Sequence, residues 1–257
     1  MKITVITVCY NSEATLGDTI QSVLNQSNKD YEYIIVDGNS NDKTVEIIRS
    51  SEKAFSGRMR WISEPDQGIY DAMNKGIRMA TGEVIGFLNA DDYYQDNHIL
   101  RDISQAFCAN PGTDAIHGDL DYINKERKVV RSWRGKEYTP GSFQKGWSPA
   151  HPTFYCKRQC FEQFGPFVPA IGSAADFELM LRFTERFGIR TRHLQRSMVF
   201  MRTGGSSTNG FKAIMRNTKQ NRQAFLLNSL PCPLLYPVAR LWHKVFSVKN
   251  PFNYLSQ

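Results

Sequence analysis

Hydrophobic and polar positions follow two alternating patterns along residues 1–95. Continuous apolar runs rich in β-branched residues predict buried strands, and each is followed by a segment whose apolar positions recur at helical spacing. The predicted strands are Ile3–Val8, Tyr33–Val36, Arg60–Ile62 and Val84–Leu88. The predicted helices have their apolar stripes at Leu16–Leu24, Val45–Ile48 and Ile69–Ala80. Repeated strand–helix units predict an α/β fold with a mainly parallel sheet flanked by helices.

The pattern is weaker in the second half of the chain. Candidate strands occupy residues 114–117, 128–131 and 198–201, and the apolar segment His151–Tyr155 also suggests a strand. A helix is predicted from Phe211 to about Asn228, after which Pro231, Pro233 and Pro237 interrupt the pattern. We therefore expect a main domain at 1–210, with halves at 1–95 and 96–210, and a helical extension at 211–257.

Polar and acidic residues follow the predicted strands. Because parallel strands bind ligands beyond their carboxyl ends, these residues are expected to meet at one edge of the sheet. They are Thr7, Tyr10 and Asn11 after the first strand, Asp37 after the second, Glu64 and Asp66 after the third, and Asp91 and Asp92 after the fourth.

Two adjacent carboxylates, Asp91 and Asp92, end the fourth strand. Like charges at a partly desolvated edge repel each other, whereas a divalent cation with a preference for hard oxygen ligands would hold both. A solvated turn is the other interpretation, since Asn89, Asp91 and Asp92 are all common turn residues.

Composition indicates a globular protein without a membrane span. Hydrophobic residues make up 41% of the 257 residues, and no apolar run approaches the roughly 20 residues needed to cross a bilayer. The first strand begins at Ile3, which leaves no room for a signal peptide. The five cysteines are scattered and form no zinc-site pattern, so a reduced cytoplasmic setting is expected.

Charge is unevenly distributed along the chain. Twelve of the 32 Lys and Arg residues, and none of the 25 acidic ones, lie after Glu185. Apolar and basic residues alternate around a helix between Leu234 and Lys249, with Trp242 among them, a pattern that suits a helix on an anionic bilayer. Packing of this helix against the main domain is the alternative. Nucleic acid is not an expected partner, because no aromatic platform accompanies the basic residues.

Motifs at the strand ends carry a family resemblance. The chain contains neither G-x-G-x-x-G nor a Walker A loop after the first strand, which argues against a dinucleotide dehydrogenase or a P-loop ATPase. Four blocks, together with the later Ala174–Arg182, resemble the family 2 glycosyltransferases, most closely the bacterial members that build exopolysaccharide, O-antigen or colanic-acid repeat units. The four blocks are Thr7–Asn11, Val36–Thr44, Glu64–Gly76 and Ala80–Asp92.

The resemblance implies a GT-A fold and an inverting transfer from a nucleoside-diphosphate sugar, with a UDP-sugar favoured over a GDP-sugar. Thr7, Tyr10 and Asn11 would line the nucleotide edge, Asp37 would hydrogen-bond the base, and Asp66 would lie beside the nucleoside. The acceptor would be a glycan in lipid-linked form. The enzyme would act as a peripheral protein at the inner face of the bacterial cell membrane. The absence of Q-x-x-R-W disfavours a processive synthase.

The metal and catalytic roles are also implied by the resemblance. Asn89 replaces the first Asp of the D-x-D motif, which places the binding of Mn²⁺ or Mg²⁺ on Asp91 and Asp92. Asp176 matches the catalytic base, and the acidic residue usual before it is Ala175 here. A carboxylate near the acceptor hydroxyl can accept its proton, and a metal stabilises the leaving diphosphate. A helix N-cap is the alternative role for Asp176.

Three further residues are candidates in the acceptor half. Trp147 and His151 could contact a sugar or pyrophosphate, although a structural role is the alternative for His151. Arg202 begins a polar loop, Arg202–Ser207, that could close over the diphosphate or be a plain surface turn. Two other functions stay open: a sugar nucleotidyltransferase, and a non-catalytic module that binds nucleotide sugars or glycans, kept open by Asn89 and Ala175.

Overall fold

The structure is a computed structural model that describes residues 1–203 and 211–246. Strands and helices alternate as far as α4, and helices dominate after residue 203. The strands are β1 (Ile3–Cys9), β2 (Tyr31–Asp37), β3 (Met59–Ser63), β4 (Val84–Phe87), β5 (Tyr93–Tyr94), β6 (Ala115–Ile123), β7 (Val129–Trp133), β8 (Tyr155–Lys157) and β9 (Thr191–Arg202). The helices are α1 (Leu16–Leu24), α2 (Thr44–Glu52), α3 (Ile69–Met79), α4 (Ile99–Ala109), α5 (Arg158–Phe164), α6 (Ala175–Leu181), α7 (Phe211–Leu227) and α8 (Tyr236–Phe246).

The described strands form one sheet in the order β3-β2-β1-β4-β8-β6-β9-β5, with β7 paired to β6. β3, β2, β1 and β4 are parallel, as their strand–helix alternation predicts, and β6 and β9 are parallel to each other. The short strand β8 is antiparallel to both β4 and β6 and joins the two halves of the sheet. The mixed α/β architecture is that of a GT-A fold.

Both faces of the sheet are covered, which explains the unbroken apolar runs in its strands. Side chains alternate along β1: Ile6 and Val8 pack with α3, while Ile3 and Val5 pack with α1. Because both sets are buried, β1 and β2 have no solvent-facing positions along their length.

One predicted strand is wrong, and three elements were not predicted. His151–Thr153 is a short 3₁₀ turn, not a strand, and β8 begins only at Tyr155. Pro152, at the start of this turn, lacks the N–H that a central strand would need. The elements that were not predicted are β5, α4 and α5.

The C-terminal helices pack on the second half of the main domain. Tyr236 of α8 is fully buried and lies with its ring centroid 5.2 Å from Phe225 of α7, which in turn lies 5.9 Å from Phe177 of α6. Asn228 donates a hydrogen bond of 2.9 Å to the buried carboxylate of Glu178. The predicted extension therefore contacts α6, the helix that carries Asp176. Among the described residues, no helix is long and apolar enough to cross a membrane.

Candidate active site

The carboxyl ends of the first four strands meet at one edge of the sheet. Cys9 of β1 lies opposite Asp37 of β2, and Asp37 lies opposite Ser63 of β3. On the other side of β1, Ile6 lies opposite Phe87, directly before the segment that contains Asp91. The loops that follow all four strands therefore surround a common region, as the parallel topology predicts.

Tyr10, Gly38 and Asp66 form one side of this region. A Cβ atom at Gly38 would lie 2.5 Å from Oδ2 of Asp66 and 3.5 Å from the ring of Tyr10. Tyr10 is 62% exposed, an unusual position for an aromatic ring, and it is available to a planar ligand. Asn11 follows with a φ of 48°, and its side-chain oxygen accepts a hydrogen bond of 3.0 Å from the backbone of Asn41.

Two of the expected ligand-facing residues lie beneath the surface. Thr7 is fully buried; its hydroxyl donates 2.7 Å to the carbonyl of Leu88 and accepts 3.0 Å from Tyr33. Asp37 is also fully buried, and its carboxylate accepts hydrogen bonds from Ser40 and Ser63. In this structure both side chains brace the loops around the site.

Asn89–Asp92 forms a turn with an unsatisfied carboxylate. The backbone N–H of Asp92 donates 3.0 Å to the carbonyl of Asn89, while the Asn89 amide reaches only to 3.5 Å from Oδ2 of Asp92. Asp92 is fully buried, and its Oδ1 has no hydrogen-bond partner. Burial raises the pKa of Asp92 well above its ordinary value, and the adjacent Asp91 carboxylate raises it further.

Arg202 reaches this turn from the end of β9. Its Nη1 donates 2.6 Å to the carbonyl of Asp91, its Nη2 pairs with Asp18, and its guanidinium lies 5.1 Å from the centre of the Tyr93 ring. Long-range folding therefore brings Arg202 to the turn that contains Asp91 and Asp92. The rest of the predicted loop, 204–207, lies outside the described residues.

The donor set at this turn fits a divalent cation. Carboxylate oxygens are the preferred ligands of Mg²⁺ and Mn²⁺, and the orphaned Oδ1 of Asp92 is a buried acceptor without a donor. Asp91 is the more accessible carboxylate of the two. No group of three His, Cys, Asp or Glu side chains in the described ranges could hold a metal without help. A ligand with its own anionic oxygens would have to complete the coordination.

Asp176 lies at the start of α6, with Ala174 in the N-cap position. Asp176 is therefore not the N-cap residue, although its Oδ1 accepts a hydrogen bond of 2.7 Å from the backbone N–H of Phe177 in the first turn of the helix. Tyr70 of α3 reaches the same place and donates 3.3 Å to the carbonyl of Ser173. Burial, and then the negative charge of Asp176, raise the pKa of the Tyr70 hydroxyl.

His151 packs against the end of β4 and feels the charge of Asp176. Its ring stacks at 5.4 Å on Phe87, two residues before Asn89, and its Nε2 is buried without a hydrogen-bond partner. Burial lowers the pKa of His151, and the negative charge of Asp176 partly offsets this effect. A neutral imidazole therefore packs on Phe87 at the end of β4, where its Nε2 can donate or accept one hydrogen bond.

Trp147 is buried in an aromatic cluster away from this open edge. Its ring lies 5.9 Å from Phe143 and 5.5 Å from His117, and its indole N–H has no hydrogen-bond partner. Trp147 thus supports the wall of the second half.

The sequence reasoning assigned no role to Tyr70, which lies beside Asp176, or to Arg240, whose guanidinium lies 5.6 Å from the ring of Phe177. Tyr70 lies within the motif Glu64–Gly76, which could have drawn attention to it. Arg240 of α8 donates 3.0 Å to the carbonyl of Gly146 and 3.0 Å to the hydroxyl of Ser148. No local pattern singles out Arg240 from the other basic residues of the extension.

The comparisons agree with this geometry. The family model for glycosyl transferase family 2 matches residues 4–169. A PGL/p-HBAD biosynthesis glycosyltransferase of Mycobacterium tuberculosis strain ATCC 25177 / H37Ra is 27% identical over 194 residues, 74% of this chain and 72% of that protein. An uncharacterized glycosyltransferase of Nostoc sp. is 35% identical over 130 residues, which cover 51% of this chain and 40% of that protein.

Solved structures share the fold at low sequence identity. Residues 1–349 of S. aureus TarS, crystallised with UDP-GlcNAc, match with a TM-score of 0.70 and 20% identity, covering 93% of this chain and 69% of that one. The mannosyltransferase PcManGT of Pyrobaculum calidifontis, in complex with GDP-Man and Mn²⁺, matches with a TM-score of 0.66 and 18% identity, covering 95% and 70%. With a family model that spans more than half of its length, the chain belongs to glycosyl transferase family 2 and is a glycosyltransferase of the GT-A fold.

Proposed function

We propose that this glycosyltransferase transfers a sugar from a nucleoside-diphosphate sugar to a hydroxyl group of a glycan acceptor, with inversion at the anomeric carbon. A UDP-sugar is the favoured donor, and a GDP-sugar is the alternative. The likeness to TarS, crystallised with UDP-GlcNAc, and to PcManGT, crystallised with GDP-Man, supports a nucleotide-sugar donor. The observation that carries the proposal is the position of Asp176 beside Tyr70 and His151, with His151 stacked on Phe87 at the end of β4.

Each side of the site has a separate task. Tyr10 and Asp66 converge beside Gly38, where a ring and a carboxylate suit a nucleoside. Asp91 and the orphaned oxygen of Asp92 would hold Mn²⁺ or Mg²⁺, which would neutralise charge on the departing diphosphate. Arg202 adds a fixed positive charge next to the carbonyl of Asp91.

Asp176 would act as the base in a single displacement. The acceptor oxygen forms a bond to the anomeric carbon while the bond from that carbon to the diphosphate breaks. The acceptor proton passes to the carboxylate of Asp176, and the nucleoside diphosphate leaves with the electron pair of the broken bond. His151, held neutral by burial, would orient the acceptor hydroxyl or the diphosphate through one hydrogen bond. One base on the acceptor side is sufficient for inversion, because no covalent intermediate is needed.

We further propose a lipid-linked acceptor, synthesis of bacterial surface polysaccharide, and attachment to the inner face of the cell membrane. The basic, apolar C-terminal region supports this view, since twelve Lys and Arg residues and no acidic ones follow Glu185. The mycobacterial relative, a PGL/p-HBAD biosynthesis glycosyltransferase, likewise acts in a biosynthetic pathway.

The test separates donor binding from turnover. Thermal unfolding is measured with UDP, GDP, CDP and ADP, each with and without Mn²⁺, and transfer is measured with nucleotide sugars and a monosaccharide linked to an alkyl diphosphate. At about 100 times its Kd, a ligand should stabilise the protein by about 2.7 kcal/mol. Asp91→Ala should abolish the stabilisation by UDP and Mn²⁺, whereas Asp176→Asn should keep it and lose transfer by at least about 100-fold.

A matched control is Asp30→Asn, an exposed carboxylate at the opposite edge of the sheet, directly before β2. This variant should keep both binding and transfer. If Asp176→Asn keeps both nucleotide binding and full sugar transfer, Asp176 is excluded as the base. Stabilisation by a nucleotide without transfer of any sugar would favour the non-catalytic binding module instead.

A further inference from the structure

Helix α8 has two unlike faces. Val238, Leu241 and Trp242 are spaced by three and four residues and share one side of the helix, while Tyr236 and Arg240 lie on the other. Together with Leu234 and Leu235, which directly precede α8, the outward residues form what we call the apolar face. Its five side chains, Leu234, Leu235, Val238, Leu241 and Trp242, are between 51% and 86% exposed. Large apolar residues concentrated in this way mark an interaction surface.

The inner side of α8 is fixed to Gly146, Ser148 and Phe177, which we call the acceptor wall because Phe177 directly follows Asp176 on α6. Arg240 donates hydrogen bonds to Gly146 and Ser148, and its guanidinium lies 5.6 Å from the ring of Phe177, the neighbour of Asp176. A Cβ atom at Gly146 would lie 2.6 Å from the backbone of Ala239, so α8 rests directly on this segment. Because a helix is about 10–12 Å across, the apolar face lies roughly that far from the acceptor wall.

Exposed positive charge lies on α7, the helix that packs beside α8. Arg216, Lys219 and Arg222 are exposed and recur every three residues along α7. Helix α7 packs beside α8, where the Asn221 amide donates 3.0 Å to the Tyr236 hydroxyl. Since no acidic residue follows Glu185, a second copy of this chain would bring like charges together at a symmetric contact. An anionic bilayer offers apolar contact and negative charge at the same surface.

We propose that the apolar face of α8 inserts into the headgroup region of an anionic bilayer, and that Arg240 holds the acceptor wall at that surface. The acceptor would then be taken from the membrane and not from solution. This proposal rests on the membrane attachment given under the proposed function and names the surface that makes it, whereas bilayer binding itself does not depend on the proposed sugar transfer. Arg240 is a positioning residue in this proposal: it acts through Gly146, Ser148 and Phe177 and does not touch the reacting atoms.

Vesicle flotation tests the binding. Full-length protein is mixed with vesicles of phosphatidylglycerol and phosphatidylcholine, or of phosphatidylcholine alone, at low and high salt. We expect binding to the anionic vesicles to be at least tenfold tighter than to the neutral ones and to weaken with salt. Replacing Leu234 and Leu241 by Glu should weaken it at least tenfold. The control is Val130→Glu, an exposed apolar residue of β7, which should bind as the wild type does.

A second experiment tests Arg240. It measures sugar transfer to the alkyl-diphosphate-linked acceptor, either embedded in anionic vesicles or dissolved. Arg240→Met should bind vesicles normally and keep the thermal stabilisation by UDP and Mn²⁺, but its KM for the embedded acceptor should rise at least fivefold with kcat within about twofold. Arg240→Lys, which keeps one charged donor, should recover part of that loss. An unchanged KM in Arg240→Met would overturn the positioning role.

Other results would overturn the membrane proposal itself. One such result is that the vesicles bind neither the wild type nor the variants. Another is that they bind the Leu234/Leu241 variant as tightly as the wild type. A wild-type dimer that the same variant converts to a monomer would assign the face to a second copy of the chain. None of these outcomes depends on nucleotide binding or catalysis, so failure of the membrane proposal is distinguishable from failure of the proposed sugar transfer.

Discussion

The contact between Gly38 and Asp66 allows a sharp test of the nucleoside side of the site. In Gly38→Ala, the new methyl group would lie 2.5 Å from Oδ2 of Asp66, whereas ordinary contacts begin near 3.4 Å. The carboxylate must therefore move by about 1 Å. Asp66 is at the end of a short, partly exposed side chain, and its Oδ1 accepts a hydrogen bond of 2.8 Å from the backbone of Gly68.

The expected change in stability is small. Weakening one hydrogen bond costs about 0.5–1.5 kcal/mol, and a side chain forced off its rotamer costs a similar amount. The loss of flexibility in the unfolded chain returns about 0.4–1 kcal/mol when Gly is replaced by Ala. The free energy of unfolding of Gly38→Ala should therefore fall by no more than about 2 kcal/mol, measured by urea unfolding.

Nucleotide binding should change much more. If the Asp66 carboxylate accepts a hydrogen bond from the nucleoside, moving it by about 1 Å loses a charge-assisted contact of about 1.5–3 kcal/mol. That loss corresponds to a Kd for UDP about 10–150-fold higher, measured by calorimetry with Mn²⁺ present. In the Asp66→Ala background the Gly38 substitution should have no further effect, because the two changes remove the same contact.

The control for this test is Gly17→Ala in α1, where an added Cβ meets nothing within 4 Å. It should stabilise the protein by about 0.5–1 kcal/mol and leave UDP binding unchanged. If Gly38→Ala is folded and binds UDP within about twofold of the wild type, Asp66 does not contact the nucleoside, and the assignment of this side of the site is wrong.

Three further substitutions test the scaffold. Burial alone would raise the pKa of Glu32, but its hydrogen bonds outweigh burial and hold the pKa at about 2. The ionised Glu32 therefore stabilises the folded protein above about pH 4.5, and this contribution is lost as the pH falls toward 2. Glu32→Gln should cost roughly 3 kcal/mol at pH 7 and flatten the acid limb of the stability–pH curve. Gly86→Ala, whose Cβ would lie 2.1 Å from the buried ring of Tyr155, should cost about 1–3 kcal/mol in urea unfolding, and a neutral result would contradict the packing. Glu178→Ala, which leaves the buried Arg182 without its carboxylate, should lower the free energy of unfolding by about 3–5 kcal/mol. The loss should be much smaller in a double variant in which Arg182 is also replaced by an uncharged residue.

Local pattern was sufficient to predict β1–β4 and their intervening helices, because β1, β2 and β4 are buried on both faces and each helix has one apolar stripe. The same logic fails at His151–Thr153. This segment is buried on all sides within the core, so apolar character there carries no period, and only Pro152 indicates that it is not a strand.

Side-chain direction was the information that the motif alone did not supply. Thr7 shares a face of β1 with Ile3 and Val5, so the two-residue period of a strand already directs it into the core. Tyr70 and Asp176, by contrast, are 106 positions apart in the chain, and Arg240 reaches Gly146 across 94. No local rule brings such pairs together; they depend on the packing of α3, α6 and α8.

The charge balance at the carboxylate turn indicates how donor and cation depend on each other. The positive charge of Arg202 partly offsets the rise in the pKa of Asp92, but its guanidinium is engaged by Asp18 and by the main-chain carbonyl of Asp91, and Oδ1 of Asp92 has no hydrogen-bond partner. A buried carboxylate in this state is costly, and a divalent cation would relieve that cost. Yet the described residues supply no third acidic, His or Cys ligand. The diphosphate of the donor has the missing oxygens, so donor and cation should each bind weakly alone and strongly together.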